Sequence, residues 1–458
     1  MISKKHWIPA RALVLGLILS SSSLPALAAS DTDVKLDELQ KSLDKSMKMI
    51  EALNARVKEL EARVAEGTVA AAPQTAAPPA PNAAAAAVGA APSIDNRLET
   101  VEQKVTQIET ANATRQSDDT GLPMHGFADV GLGNRNPYFA NLEGANIGSL
   151  DFYLAPTLGA HVVSLAELIF EVGPDNSVGT DLERFQIGYQ FNDEATVWVG
   201  RFHTPYGYVN TALHHGVWLA DALRRPKFAN FEDHGGVMPS HTVGVWVTGA
   251  RRLEEGKILY DFYAGNGQEI INGIVDMQSG GNGHGAAMAG SRLSYQFGGA
   301  ADGLLIGVNG FTDKVSSQQT LFLTRLQMLG VYAVYDTDDW EHIIEAYSFR
   351  DTNLSGGPAG THDSYAWFGQ FGYRAHWGLP YIRYERALLD QGDEYFAEQQ
   401  SGASYYRSAM GVRFDLNARS SIKFEVAHTR NTDVRDIDLA IGLPVEYNEV
   451  LGQYAVRF

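Results

Sequence analysis

From Leu122 onward, apolar residues recur at every second position, and that period leaves few choices for what this stretch can become. Arg184, Gln186, Gly188 and Gln190 alternate with Phe185, Ile187, Tyr189 and Phe191. Later, Arg407, Ala409, Gly411, Arg413 and Asp415 alternate with Met410, Val412, Phe414 and Leu416. Such strands carry one apolar and one polar face. In a soluble sandwich the apolar face would be sealed inside; in a membrane barrel it meets lipid, and the polar face lines a watery lumen. Beyond residues 1–28 no stretch holds even a dozen consecutive apolar residues, so a membrane-spanning form would have to be a closed barrel.

The spacing of the segments favours the barrel. Strands are expected near Leu122, Gly148, Leu165, Leu182, Ala195, Thr242, Gly256, Ala286, Gly303, Thr324, Trp340, Ser364, Leu379, Tyr406, Ser420 and Val450, about sixteen in all and an even number. Links after even-numbered strands are tight, as at Asn192-Asp193, Leu253-Glu254-Glu255, Gly298-Gly299, Asp336 to Asp339, Trp377-Gly378 and Asn417-Ala418-Arg419. Links after odd-numbered strands are mostly longer, such as Asn266 to Gly285 and Asp351 to His362. Alternating short turns and long outer loops fit a barrel with both ends on one side of a membrane. Aromatics near strand ends, among them Tyr365, Trp367, Phe371 and Tyr373, suit interfacial girdles.

The N-terminal quarter has a different period. Lys4, Lys5 and Arg11, the apolar run Ala12 to Leu19, and small residues at Ala26-Leu27-Ala28 read as a cleaved signal peptide over 1–28, the run being about half of the ~20 residues a spanning helix needs. Over 29–66, Leu36, Leu43, Ile50, Val57 and Val64 take the a positions of a heptad, and Leu39, Ser46, Leu53 and Leu60 the d positions, which predicts a periplasmic coiled coil. An Ala/Pro-rich linker follows over 67–92, then a second short coiled coil over 93–112 on Ile94, Leu98, Val101, Val105 and Ile108, then a linker over 113–121 and the barrel over 122–458. The chain has no cysteine, which excludes disulfides and thiolate metal sites, and its net charge of −18 argues against nucleic acid as a partner.

The chain ends Tyr454-Ala455-Val456-Arg457-Phe458, an alternating strand with an aromatic carboxylate. With the leader, the strand parity and the absence of spanning helices, Leu122 to Phe458 resembles the general trimeric porins of Gram-negative outer membranes. Gly200-Arg201-Phe202-His203-Thr204-Pro205-Tyr206-Gly207 looks like a strand-end motif of porins related to the phosphate-selective group, and a coiled coil before the barrel is similar to some sugar- and phosphate-specific porins. The resemblance implies an all-β transmembrane barrel preceded by an α-helical coiled coil, a homotrimer in outer-membrane lipid, and barrel closure by Phe458, read by the outer-membrane barrel assembly machinery. It also implies that the longest link, 204–241, folds into the lumen as a constriction.

That link and its approach carry Arg201, His203, His214, His215, Arg224, Arg225, Lys227, Glu232, Asp233, His234 and His241. Charges of both signs facing each other across a narrow lumen would set a transverse field that filters ions and orients dipolar solutes. The alternative is an ordinary hydrated loop. Histidines with a carboxylate such as Asp233 would suit zinc or copper, but the spacing fits no ligand motif, so neither a metal nor any cofactor is expected. Further lumen-lining candidates are Arg383, Glu385, Arg407, Arg413, Lys423, Glu425, Gln453 and Arg457, for most of which plain solvation of a wide lumen is the simpler account. No serine elbow, His-Glu-x-x-His or phosphate loop occurs, and no enzyme is expected. The reading is passive diffusion of small hydrophilic solutes or ions, with the coiled coil in the periplasm fixing a trimer or reaching toward the cell wall. The alternatives are a structural tether with a plugged barrel and, further off, a barrel enzyme.

Overall fold

The computed structural model describes residues 124–458 apart from 135–143, 157, 173–177, 215–217, 232–235, 277–279, 282–286, 357–358, 434 and 436–443. The signal peptide, both coiled-coil segments and their linkers fall outside the described residues, as do His215, Glu232, Asp233 and His234.

The alternating sequence forms β1 (Met124–Gly133), β2 (Gly144–Leu154), β3 (Val162–Val172), β4 (Val178–Asn192), β5 (Ala195–His203), β6 (His241–Leu253), β7 (Gly256–Asn266), β8 (Glu269–Ile271), β9 (Ile274–Val275), β10 (Ala287–Phe297), β11 (Leu304–Ser317), β12 (Leu323–Asp336), β13 (Trp340–Ser355), β14 (Thr361–Tyr373), β15 (Leu379–Leu388), β16 (Tyr405–Asn417), β17 (Ser420–Asn431) and β18 (Glu446–Arg457). β8 and β9 are a small hairpin inside the link after β7; the other sixteen make the wall. Each wall strand runs antiparallel to the next, β7 pairs with β10, and β18 returns to β1 from Arg457 opposite Phe127 to Leu451 opposite Gly133. The ladder therefore closes, and no wall strand is left with an edge. Every strand position expected from the sequence lies within or next to one of these sixteen.

Some expected boundaries shift. The link expected from Asp351 to His362 shrinks to 356–360, because Asp351 pairs with His362 and Thr352 with Thr361 in the β13–β14 ladder. Their polarity marks a wall that continues beyond the lipid belt, not a loop. The link 318–322 is equally short, so length separates the two ends less cleanly than the sequence suggests. The turn at Gly298-Gly299 extends to Gly303 and contains a turn of 3-10 helix at Gly299–Ala301. His241, expected in the long link, is the first residue of β6.

Burial is inverted relative to a water-soluble protein. Leu329 is 73% exposed on the outer face, along with Val308, Val331, Ile382, Met410, Phe424 and Val450, while Glu385 and Lys423 are 0% exposed inside. A contiguous outer face of this kind is stable only against hydrocarbon. At the ends joined by tight turns, aromatic rings pair at centroid distances of 4.7 Å (Tyr295, Phe297), 4.8 Å (Trp340, Tyr373) and 4.9 Å (Tyr189, Phe191), as an interfacial girdle would.

Closure at the seam includes the last residue. Gly126 and Phe458 exchange backbone hydrogen bonds of 3.0 Å each, and the Phe458 ring packs edge-on to Phe152 at 5.8 Å. A Cβ at Gly126 would run into both the Phe458 ring and the Asp151 carbonyl, so glycine is required where the seam meets β2. The outward face yields a direct test. Leu329→Arg, near the middle of β12, should destabilise the barrel in lipid by about 2–4 kcal/mol, read from denaturant unfolding in bilayers. A cost near zero there would mean that this face does not meet hydrocarbon.

Candidate functional site

β5 is the shortest wall strand and stops at His203, where the chain turns away from the wall. The two ends of the link 204–240 are stitched side by side: Thr204 N–H donates to the Ser240 carbonyl at 2.8 Å, and the Thr204 and Thr242 hydroxyls lie 2.8 Å apart. The Asn210 amide donates to the carbonyls of Thr204 (2.9 Å) and Ser240 (3.1 Å), locking both ends to a short helix, α1 (Val209–Ala212). Gly207 has φ +54, and a Cβ there would collide with the Tyr347 hydroxyl and the Glu345 carboxylate, so only glycine lets the chain pass this close to the far wall.

From the start of α1 the link crosses the barrel, and inward polar and charged groups of the opposite wall take up its backbone. Tyr208 and Val209 N–H groups donate to Glu345 Oε1 on β13 at 2.7 and 2.8 Å; Lys227 N–H donates to Glu385 on β15 at 2.7 Å; Leu223 N–H donates to Glu425 on β17 at 3.1 Å. In the opposite sense, Arg383 donates to the Arg224 carbonyl (2.6 Å), Arg413 to the Trp218 carbonyl (2.7 Å) and Lys423 to the Ala220 carbonyl (2.6 Å). Such hydrogen bonds contribute roughly 0.5–1.5 kcal/mol each, and about 1.5–3 kcal/mol where the side chain is ionised. Phe228, Val237 and Met238 of the link pack into an apolar cluster with Phe349, Phe368, Tyr395 and Phe396, the last two from α2 (Glu394–Glu398) in the link after β15.

These contacts correct the account of the lumen residues as merely solvated. Arg383, Glu385, Arg413, Lys423 and Glu425 are buried and hold the link to the wall. Arg407 is buried among Glu385 (3.4 Å), Glu425 (3.0 Å) and Glu449, forming a charge ladder across β15 to β18. Arg457 lies exposed, over the Trp218 ring at 5.6 Å, with Nε donating to the Ala418 carbonyl. Among the loop cations, Arg225 turns inward on its own segment, donating to the Ala229 carbonyl (2.8 Å) and the Asn210 side chain (2.9 Å). Lys227 Nζ sits 4.5 Å over the Tyr405 ring. Burial pushes the Tyr208 hydroxyl up to about 12, so it stays protonated.

Beside the link a cavity of ≈ 240 Å³ remains, lined by β1, β2 and β18 and also by Ile343, Phe368, Gln370 and Arg383 of β13 to β15. Arg224, Arg383 and Asn230 line it from one side; Asp129, Ser149 and Gln453 line it from the other. Asp129 is fixed there by Ser149 N–H and the Gln453 amide, each at 2.9 Å. The lining thus holds charges of both signs.

A second cluster sits at the root of the link. Glu183, His203, His214 and His241, all buried, bring ligand-type atoms within 4.8 Å of one another. His203 and His241 are directly paired across β5 and β6, and so share a face. His214 arrives just after α1, and its ring stacks on His203 at 3.5 Å. Glu183 was not expected. It is the extra residue of a bulge in β4, where Glu167 faces Arg184 and Leu168 faces Leu182. Two consecutive charged residues, Glu183-Arg184, interrupt an otherwise alternating strand, and that irregularity is its trace in the sequence. Arg201 is buried next to His203 on β5.

No family model matches the chain, and no curated protein matches it. Among solved structures, an anion-selective porin from Comamonas acidovorans is 12% identical, with a TM-score of 0.48 over 73% of this chain and 98% of that one. OmpT, an outer membrane protein of Vibrio cholerae, is 12% identical in its trimer form, with a TM-score of 0.46 over 73% and 98%. The outer membrane channel DcaP of Acinetobacter baumannii is 10% identical, with a TM-score of 0.45 over 73% and 96%.

The anchoring scheme predicts which wall residue releases the link. Glu345→Ala removes the acceptor of two N–H groups at once, at a cost of about 1–3 kcal/mol for each donor left buried. Amide hydrogen exchange over 208–212 should accelerate by at least tenfold while the β12–β14 ladder keeps its protection. Unchanged exchange would mean that the link is held from elsewhere.

Proposed function

We propose that the protein is an outer-membrane porin through which small hydrophilic solutes or ions diffuse passively, with the link 204–240 narrowing the lumen. The observation that carries this reading is the path of that link: pinned to β13, β15, β16 and β17, it leaves a cavity lined by Arg224 and Asp129 that reaches from β1, β2 and β18 to Ile343, Gln370 and Arg383 of the opposite wall. A transverse field there would act on solutes without any bond being broken, which accords with a non-enzymatic role. The heptads of the N-terminal quarter support a periplasmic coiled coil; Ile and Val at a with Leu at d would alone favour two strands, so the proposed homotrimer rests on the barrel and not on this seam.

One observation favours a second reading. Apolar side chains, including Phe228, Phe349, Phe368 and Tyr395, fill much of the interior, as a plugged barrel serving a coiled-coil tether would require. Conductance separates the two. In planar bilayers the porin reading predicts stepwise openings in groups of three. Arg224→Ala, which removes a cavity-lining cation 3.8 Å from Glu449, should shift ion selectivity toward cations, while Lys227→Ala, whose ammonium lies over the Tyr405 ring and away from that lining, should change it little. Absence of openings from folded protein would reject the open pore. Deletion of 31–121 should leave the openings intact under the porin reading, whereas a tether would lose its function.

A further inference from the structure

We propose that Glu183, His203, His214 and His241 form a binding site for a divalent transition-metal ion of the zinc class, which clasps the root of the inward link to the wall. Four donors from four separate segments converge here: β4, β5, the end of α1 and β6. Tetrahedral coordination with bonds of about 2.0–2.2 Å sets neighbouring donors roughly 3.3 Å apart. Glu183 Oε2 lies 2.6 Å from His241 Nε2 and 4.0 Å from His214 Nε2, and the two Nε2 atoms are 3.1 Å apart. These separations bracket that spacing, so small side-chain shifts would complete the shell.

The surroundings are those of ligands. His214 Nδ1 is 2.8 Å from the Asn210 carbonyl, which only accepts, so Nδ1 carries the hydrogen and the neutral ring turns the Nε2 lone pair to the centre. An outer N–H on a backbone carbonyl with the inner nitrogen turned to the centre is how metal-ligating histidines are oriented, and here His214 Nε2 faces His241 Nε2 and Glu183. Stacking of His203 on His214 also suits neutral rings, the form that binds metal. Glu167 flanks the site: its carboxylate accepts from Arg184 and lies 3.7 Å from His203 Nε2. Access exists, because His203 and His214 also line a cavity of ≈ 250 Å³ with His125, Tyr153 and Arg184. Three imidazoles and one carboxylate, without thiolate, match zinc and its late first-row neighbours better than the oxygen-seeking Mg2+ or Ca2+.

The inference is independent of whether the lumen conducts. Its test uses the full-length protein in detergent, stripped with a chelator, dialysed against Zn2+ and assayed for metal per chain. One Zn2+ per chain is expected, with affinity falling at least about tenfold in His214→Ala and His241→Ala and unchanged in His161→Ala, an exposed histidine away from the site. Strand content is checked by circular dichroism, and Glu183→Gln, of the same shape, replaces any variant that fails to fold. Co2+ in place of zinc should give the visible bands of four-coordinate geometry. Wild-type protein that is folded yet retains no Zn2+, or site variants that bind as wild type does, would overturn the proposal.

Discussion

Hydrocarbon offers the backbone no hydrogen-bonding partner, and almost everything else in this protein follows from meeting that condition. A strand in lipid must give every N–H and C=O to a neighbour, so a sheet is admissible only when its last strand finds its first. The pairing of β18 with β1 does this, and the bonds between Gly126 and Phe458 carry the ladder to the final residue. Closure in turn fixes the two faces. With the apolar side chains turned outward, the polar alternates have nowhere to go but the interior.

An interior lined with charge creates a second condition, since an ion taken out of water must be compensated. The wall from β13 to β17 meets it partly by pairing, as in the ladder around Arg407, and partly by engaging the backbone of the inward link. The long link behaves less like an outer loop than like an internal element whose missing secondary-structure partners are supplied by the wall. Its carbonyls meet Arg383, Arg413 and Lys423, and its N–H groups meet Glu345, Glu385 and Glu425. The same wall residues that would give an open channel its charge are therefore engaged in shaping it.

The root of the link is where sheet and loop constraints meet. β5 ends early, β6 begins with His241 opposite His203, and the bulge in β4 turns Glu183 inward. Bulges commonly re-aim a side chain beside a functional centre, and here the re-aimed group joins three imidazoles in the cluster. Spacing alone gives no sign of this cluster, because its four residues lie on four separate segments, 20, 11 and 27 positions apart in sequence.

What the sequence alone determined is the wall. A period of two is a local property, written residue by residue, so Phe185, Ile187 and Tyr189, or Met410, Val412 and Phe414, announce both strand and face without any knowledge of neighbours. Strand number and the tight turns followed from the same pattern, while boundaries such as β13 running on to Ser355 did not, because polar residues serve equally well in a rim strand and in a loop. Only the tertiary structure decided where the longest link goes and what gathers at its root. Val209 meets Glu345 136 positions away, and Leu223 meets Glu425 202 positions away. Contacts of that separation leave no periodic trace, since they depend on the curvature and closure of the whole ladder, which exist only once every strand has found its partner.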